Sequence, residues 1–270
     1  MDQPLLLVGC GKMGGAMLEG WLEMGMPASQ IHIVEPYEPM AEELRGRGMG
    51  AVSSQAALPN DFAPGIVLFA VKPQAMDEAA PPFAAYRSPE TVFLSIAAGK
   101  TIAYFEAMFG DEAAIVRSMP NTPAAVRRGI TVATPNAHVT SAQRNNCGKL
   151  LEAVGAVAWV DDESLIDPVT ALSGGGPAYV FLLVECLTQA GIDAGLPPDL
   201  SAQLARTTVS GSGELLRQSD ERPSTLRENV TSPGGTTAEA LNVLMADDGW
   251  QPLITKAIAA ATARSRELAG

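Results

Sequence analysis

The stretch LLLVGCGKMGG, residues 5–15, decides the reading of the fold. Four apolar residues in a row, Leu5 to Val8, suit a strand buried on both faces, as in a parallel sheet. Gly9-Cys10-Gly11-Lys12-Met13-Gly14 then completes a G-x-G-x-x-G. In a chain rich in alanine and glycine that pattern says little alone. Its setting says more. A helical pattern follows over 12–25, a second strand IHIV over 31–34, and an acid, Glu35, ends that strand. In a dinucleotide site Gly9 permits the tight turn, Gly11 lets a pyrophosphate approach and Gly14 lets the helix pack on the sheet. A plain tight turn is the competing explanation, and the setting favours the nucleotide.

Outward from this motif, strand and helix signals alternate through the first 160 residues. Apolar runs at 66–71, 91–97, 113–119, 130–134 and 157–160 read as buried strands. Helix-like stretches at 37–47, 74–85, 101–108 and 141–154 lie among them. This alternation predicts an α/β Rossmann domain, a mostly parallel, doubly wound sheet with helices on both faces. Ligands of such sheets lie beyond the carboxyl ends of the strands. Two of those ends, AVKP (Ala70, Val71, Lys72, Pro73) and SIAAG (95–99), carry small residues or proline. Lys72 can reach a phosphate there or simply extend into solvent.

After Asp161 the strand signals stop. Gly174-Gly175-Gly176-Pro177 opens an apolar helix, AYVFLLVECLTQAG, with proline suited to its first turn. Asp199 or Ser201 is expected to cap a second helix running to about Arg217. A short helical piece is expected before Asn229, and helices over 236–247 and 251–268. The chain therefore divides into a dinucleotide-binding domain, 1–160, and an all-α domain, 161–270.

Composition narrows the function. The net charge is −12, from 18 basic and 30 acidic residues, with no basic stripe for nucleic acid. The start, Met1-Asp2-Gln3-Pro4, has no basic region of a secretory signal. The longest apolar run, Ala178 to Val184, is too short for a bilayer. Cys10, Cys147 and Cys186 form no CxxC pair, so neither a disulfide framework nor a metal site is expected. A reducing cytoplasm is the expected compartment.

TSPGGTTAEAL, 231–241, places two glycines and two threonines at the start of a helix, where open N–H groups hold anions. A glycine turn with a threonine cap is the plainer explanation. Elsewhere the chain offers no obvious acid or base. Lysine occurs only at 12, 72, 100, 149 and 256, and His32 and His138 read as structural or surface residues. Hydride transfer to a protonated imine suits such a protein. The C=N carbon is electrophilic, the nitrogen already carries its proton, and the protein has mainly to orient the reactants.

Seven stretches in order match one family: GCGKMG, AVKP, SIAAG, MPNTP (119–123), ESLID (163–167), ALSGGGPAYV (171–180) and NVTSPGGTTAEAL (229–241). The chain resembles pyrroline-5-carboxylate reductase, the last enzyme of proline synthesis. It departs at Gly175, where the family commonly has serine. The resemblance implies a Rossmann domain followed by a helical dimerisation domain, with the substrate site at the dimer interface. It implies substrate contacts at Glu163, Ser232, Gly235, Thr236 and Thr237, with Thr237 orienting the imine nitrogen as the catalytic contact. It implies cofactor contacts at Gly9, Gly11, Lys12, Met13, Gly14, Ala70, Val71, Lys72, Pro73, Ala97, Ala98 and Asn229, and the place of Glu35 at the end of the second strand adds that acid to them. The substrate carboxylate would then be held by Ser232 and the N–H groups of Gly235 and Thr236. Glu163, one acid in a DDES run, reads equally as a surface residue.

The cofactor is expected to be NADH or NADPH. Glu35 favours NADH, because a carboxylate accepts bonds from ribose hydroxyls and repels a 2′-phosphate; alternatively it only opens the next helix. The apolar helix after Pro177 needs cover on every side, so a dimer at least is expected. A β-hydroxyacid dehydrogenase is disfavoured by the absence of lysine between 150 and 255. A nucleotide sensor is disfavoured by the size of the second domain.

Overall fold

The computed structural model describes residues 3–269; Met1, Asp2 and Gly270, included in the expected domain ranges and the reading of the chain start, lie outside it. The chain forms two compact units. One runs to Gly174 and takes back the chain from Ala261 onward, and the other is Gly175–Ala260.

The first unit is an eight-stranded sheet in the order β3-β2-β1-β4-β5-β6-β7-β8. The strands are β1 (Leu5–Val8), β2 (Ile31–Val34), β3 (Gly50–Val52), β4 (Ile66–Phe69), β5 (Val92–Ser95), β6 (Ala114–Met119), β7 (Gly129–Pro135) and β8 (Gly155–Trp159). The central strand β1 is buried along its whole length and pairs in parallel with β2 and β4, Leu5 opposite both Ile31 and Ile66. Side chains on the two faces of the sheet enter separate cores, one around Leu5, Leu7 and Trp21 and one around Phe69, Phe93 and Phe105. The strand signal was continuous rather than alternating because both faces are covered.

Helices α1 (Lys12–Glu23), α2 (Glu38–Gly46), α3 (Met76–Ala79), α4 (Ile102–Phe109), α5 (Ser141–Glu152) and α6 (Ile166–Val169) complete this unit, joined by the C-terminal part of the last helix. Thr140 and Gln143 form a reciprocal capping box on α5. The helix expected over 74–85 is broken into α3 and two 3-10 turns, since Pro81 and Pro82 cannot continue an α-helix. One pairing, β6 with β7, is antiparallel. The link between them is a single 3-10 turn, Thr122–Val126, too short for the crossover that a parallel pair requires.

The second unit is helical: α7 (Gly176–Asp193), α8 (Pro198–Gln218), α9 (Pro223–Asn229), α10 (Thr236–Leu244) and the start of α11 (Trp250–Ala269). The expected cap of α8 is corrected. The helix starts at Pro198 with no side-chain cap, because two prolines fix its entry. Ser201 instead donates its hydroxyl to the Thr188 carbonyl at 2.6 Å, tying α8 to α7.

The helical stretch Glu163–Asp193 contains an 18-residue window of mean hydropathy 1.3, long and apolar enough by length and composition alone to cross a membrane. Single polar residues such as Glu185 and Thr188 interrupt the apolar run within α7. Phe181 and Leu182 are 62% and 56% exposed in the isolated chain, so a large apolar surface lacks cover within it.

Candidate active site

In the first unit the G-x-G-x-x-G turn joins β1 to α1. Gly9 turns with φ +86° and donates its N–H to the Val34 carbonyl at 2.9 Å. Gly11 ends the turn with nothing within 4 Å of where a Cβ would stand, and no side chain caps α1. Lys12 is exposed and Met13 half-buried. The helix therefore presents open N–H groups beside free space, an arrangement that accepts phosphate. Gly14 does the opposite job. A Cβ there would lie 2.5 Å from the Gly9 carbonyl oxygen and 3.1 Å from the Ala70 methyl, so α1 packs on the strand ends through glycine alone.

Glu35 is fixed rather than loose. One oxygen accepts the Cys10 N–H at 2.9 Å and the other the Tyr37 N–H at 3.0 Å. Helix α2 begins at Glu38, beyond it. Burial, reinforced by the Glu35 charge, pushes the Cys10 thiol up to about 11. That cysteine is therefore neutral and adds no anion to the turn. Beside the turn lies a groove of about 430 Å³ lined by Val8, Val34, Pro36, Ser53, Ser54 and Val71. Ser53 and Ser54 were not foreseen, because the strand that delivers them is only three residues long.

The other expected residues of this unit sit at the neighbouring strand ends. Ala70 and Val71 are half-buried after β4, Lys72 is exposed, and Pro73 opens a 3-10 turn. After β5, Ala98 is half-exposed, whereas the Ala97 methyl enters the core around Phe69. Only the Ala97 backbone is left for a ligand. Lys100 lies over the Tyr104 ring and pairs with Asp77 at 2.9 Å, while the Tyr104 hydroxyl donates to Asp77 at 2.5 Å.

Glu163 belongs to this unit and is engaged. Its Oε1 accepts the Ile102 N–H at 2.8 Å and the Arg117 Nη1 at 2.7 Å. Arg117 is 3% exposed. The ion pair was not foreseen: Arg117 stands inside an apolar strand, and nothing in its neighbours marks a buried cation.

The remaining expected residues belong to the second unit. Ser232-Pro233-Gly234-Gly235 forms a turn closed by the Gly235 N–H on the Ser232 carbonyl at 3.0 Å. Gly234 has the positive φ, +67°, that a type II turn requires at its third residue, and Pro233 suits the second. The expectation that the Gly235 N–H is open to a ligand is thus corrected, since the turn uses it. No side chain caps α10, and its first bond runs from Glu239 N to Gly235 O at 3.3 Å. The N–H groups of Thr236, Thr237 and Ala238 precede that bond and have no carbonyl one turn back. Ser232, Thr236 and Thr237 are exposed. Asn229, at the end of α9, is also exposed and donates to Glu221 at 3.3 Å.

Comparison with known proteins agrees with both halves. Residues 163–268 match the family model "Pyrroline-5-carboxylate reductase dimerisation". Residues 5–99 match "NADP oxidoreductase coenzyme F420-dependent". The pyrroline-5-carboxylate reductase of Pseudomonas aeruginosa is 39% identical over 266 residues, covering 98% of this chain and 96% of the relative. A solved pyrroline-5-carboxylate reductase from Coxiella burnetii superposes with a TM-score of 0.92 at 31% identity, covering all of both chains. The Plasmodium falciparum pyrroline carboxylate reductase, solved with NADP bound, gives a TM-score of 0.82 at 30% identity, covering 100% of this chain and 99% of that one. With a relative this similar along nearly its whole length, the chain belongs to the pyrroline-5-carboxylate reductase family.

Proposed function

We propose that this chain reduces 1-pyrroline-5-carboxylate to L-proline with NAD(P)H. One observation carries the chemical reading: the uncapped start of α10, where a type II turn delivers two exposed threonines beside open N–H groups. NAD(P)H, when bound, supplies the hydride. Gly9, Gly11, Lys12, Met13 and Gly14 form its pyrophosphate seat, and Glu35 with the adjacent groove takes the adenosine half. Ala70 to Pro73, Ala98 and the Ala97 backbone line the path towards the reacting end, and Asn229 is assigned to the same cofactor.

The substrate carboxylate is assigned to Ser232 and the N–H groups of Thr236 and Thr237, where the helix dipole favours an anion. Gly235 contributes by leaving room, not by donating. The Thr237 hydroxyl meets the ring nitrogen. The imine enters protonated, so the protein needs no strong acid, only orientation. Incubation with pyrroline-5-carboxylate and either reduced cofactor should oxidise the cofactor, whereas 3-hydroxyisobutyrate with NAD(P)⁺ should not reduce it. Turnover of the hydroxyacid alone would point to the dehydrogenase reading.

NADH is the proposed preferred cofactor. A Glu35 carboxylate held by two backbone N–H groups cannot swing away from a 2′-phosphate. Two anions in such contact should disfavour NADPH by at least about tenfold. Glu35→Ser should therefore shift the ratio of kcat/KM values towards NADPH by that factor. An unchanged ratio, or a wild type that already prefers NADPH, would remove Glu35 as the selector.

The exposed apolar face of α7 is assigned to a second copy of the chain. Light scattering should give at least twice the 28.1 kDa chain mass. A stable, active monomer would contradict this.

A further inference from the structure

The loop between β5 and α4, residues 96–101, carries Ala97 and Ala98, yet few backbone bonds fix it. Ile96 donates to the Phe69 carbonyl at 3.2 Å, and Ala97 donates to the Ser95 hydroxyl at 3.2 Å. The far end of the loop is held from outside by the 163–167 segment. Glu163 Oε1 accepts the N–H of Ile102, the first residue of α4, at 2.8 Å. The same oxygen takes the Arg117 guanidinium at 2.7 Å.

Arg117 locks that carboxylate. Its Nε and Nη2 are buried without a partner among the described residues, so Glu163 is the only anion found for a cation inside the sheet. A Glu163 that turned away would leave a buried charge unpaired, which is strongly unfavourable.

A second hold uses the next acid on the segment. Asp167, four residues on, accepts the Ser265 hydroxyl at 2.7 Å, and Ser265 is 7% exposed. Ser265 lies on the part of α11 that returns to the first unit. One turn later, the Leu268 carbonyl oxygen lies 3.2 Å from where a Cβ would stand on Gly99, which has φ +73°. The last turn of α11 thus packs against the loop itself.

We propose that Arg117, Glu163, Asp167 and Ser265 form a brace that sets the 96–101 loop for the cofactor. Glu163 and Ser265 are then positioning residues, acting through the loop. This rests on the reading that residues 96–98 face NAD(P)H. It also replaces the expectation that Glu163 touches the substrate.

The test uses the full chain with three substitutions: Glu163→Gln, Ser265→Ala and Ala98→Leu. Cofactor Kd is read from quenching of NADH fluorescence without substrate, and KM is measured for pyrroline-5-carboxylate. Glu163→Gln keeps shape and should weaken cofactor binding about tenfold, while the substrate KM moves less than about twofold. Ser265→Ala should weaken cofactor binding about threefold. Ala98→Leu should weaken it too, by filling the loop's open side. If Ala98→Leu has no effect, the loop does not face the cofactor, and both the site reading and the brace fail. If Ala98→Leu acts but the other two leave Kd unchanged, the brace alone fails. A rise in substrate KM with flat cofactor Kd in Glu163→Gln would make Glu163 a substrate contact and overturn the proposal. Should Glu163→Gln not fold, an unchanged Kd in Ser265→Ala is sufficient to overturn it.

Discussion

Replacing Gly14 by alanine should destabilise the protein by about 3 kcal/mol and remove measurable cofactor binding. The added methyl would stand 2.5 Å from the Gly9 carbonyl oxygen and 3.1 Å from the Ala70 methyl. The nearer contact is backbone, and backbone in a turn fixed by the Gly9–Val34 bond cannot yield as a side chain does. Relief requires α1 to lift from β1, which moves every N–H group offered to the pyrophosphate. Thermal unfolding should show Tm lower by about 6–12 °C, and the usual rise of Tm on adding NADH should vanish. Gly15→Ala is the control. Its methyl would meet only the Cys10 carbonyl oxygen at 3.7 Å, an ordinary contact. That variant should stay within about 0.5 kcal/mol of the wild type and retain binding. A Gly14→Ala protein as stable and as tight-binding as the control would contradict the packing argument.

Thr237→Val should lower kcat/KM for pyrroline-5-carboxylate by roughly ten- to a hundredfold, with most of the loss in kcat. The substitution keeps the branched shape and removes one hydroxyl. If that hydroxyl meets the ring nitrogen mainly in the transition state, it contributes about 1.5–3 kcal/mol there. Within the chain it supports nothing: no partner for it is found among the described residues, whereas the neighbouring Thr231 hydroxyl is spent on the Arg227 carbonyl at 2.7 Å. Folding stability should therefore stay within about 0.5 kcal/mol of the wild type. An unchanged kcat/KM would remove Thr237 from the mechanism. Loss of Tm in step with activity would mean that the residue serves the fold.

The sheet was legible because its strands are buried on both faces, which writes them as unbroken apolar runs such as Ile66–Phe69. Strand β3 was not, since Gly50-Ala51-Val52 is too short to show a period and has a single fully buried residue. The reversal at β7 was also hidden. It depends on link length rather than on the strand's own residues, and the 3-10 turn at 122–126 reads like any proline-containing loop. The G-x-G-x-x-G was legible in the turn at Gly9 and the packing at Gly14, where a positive φ and a close contact favour glycine. Single residues did not show which polar groups the fold had already engaged, whether by a local turn or by distant chain. The Gly235 N–H is consumed by the four-residue turn that begins at Ser232, and Glu163 is held by an arginine 46 positions earlier. The return of the last residues to the first unit left no local mark, since Ser265 becomes informative only beside Asp167.

The central claim is hydride transfer to the C=N bond of pyrroline-5-carboxylate. Its most direct test is the stoichiometry of the reaction, with cofactor oxidation and L-proline measured in the same sample. One L-proline should form for each NADH or NADPH oxidised, with no oxidation when the imine is left out. Cofactor that stays reduced in the presence of the imine, or is oxidised without proline appearing, would contradict it.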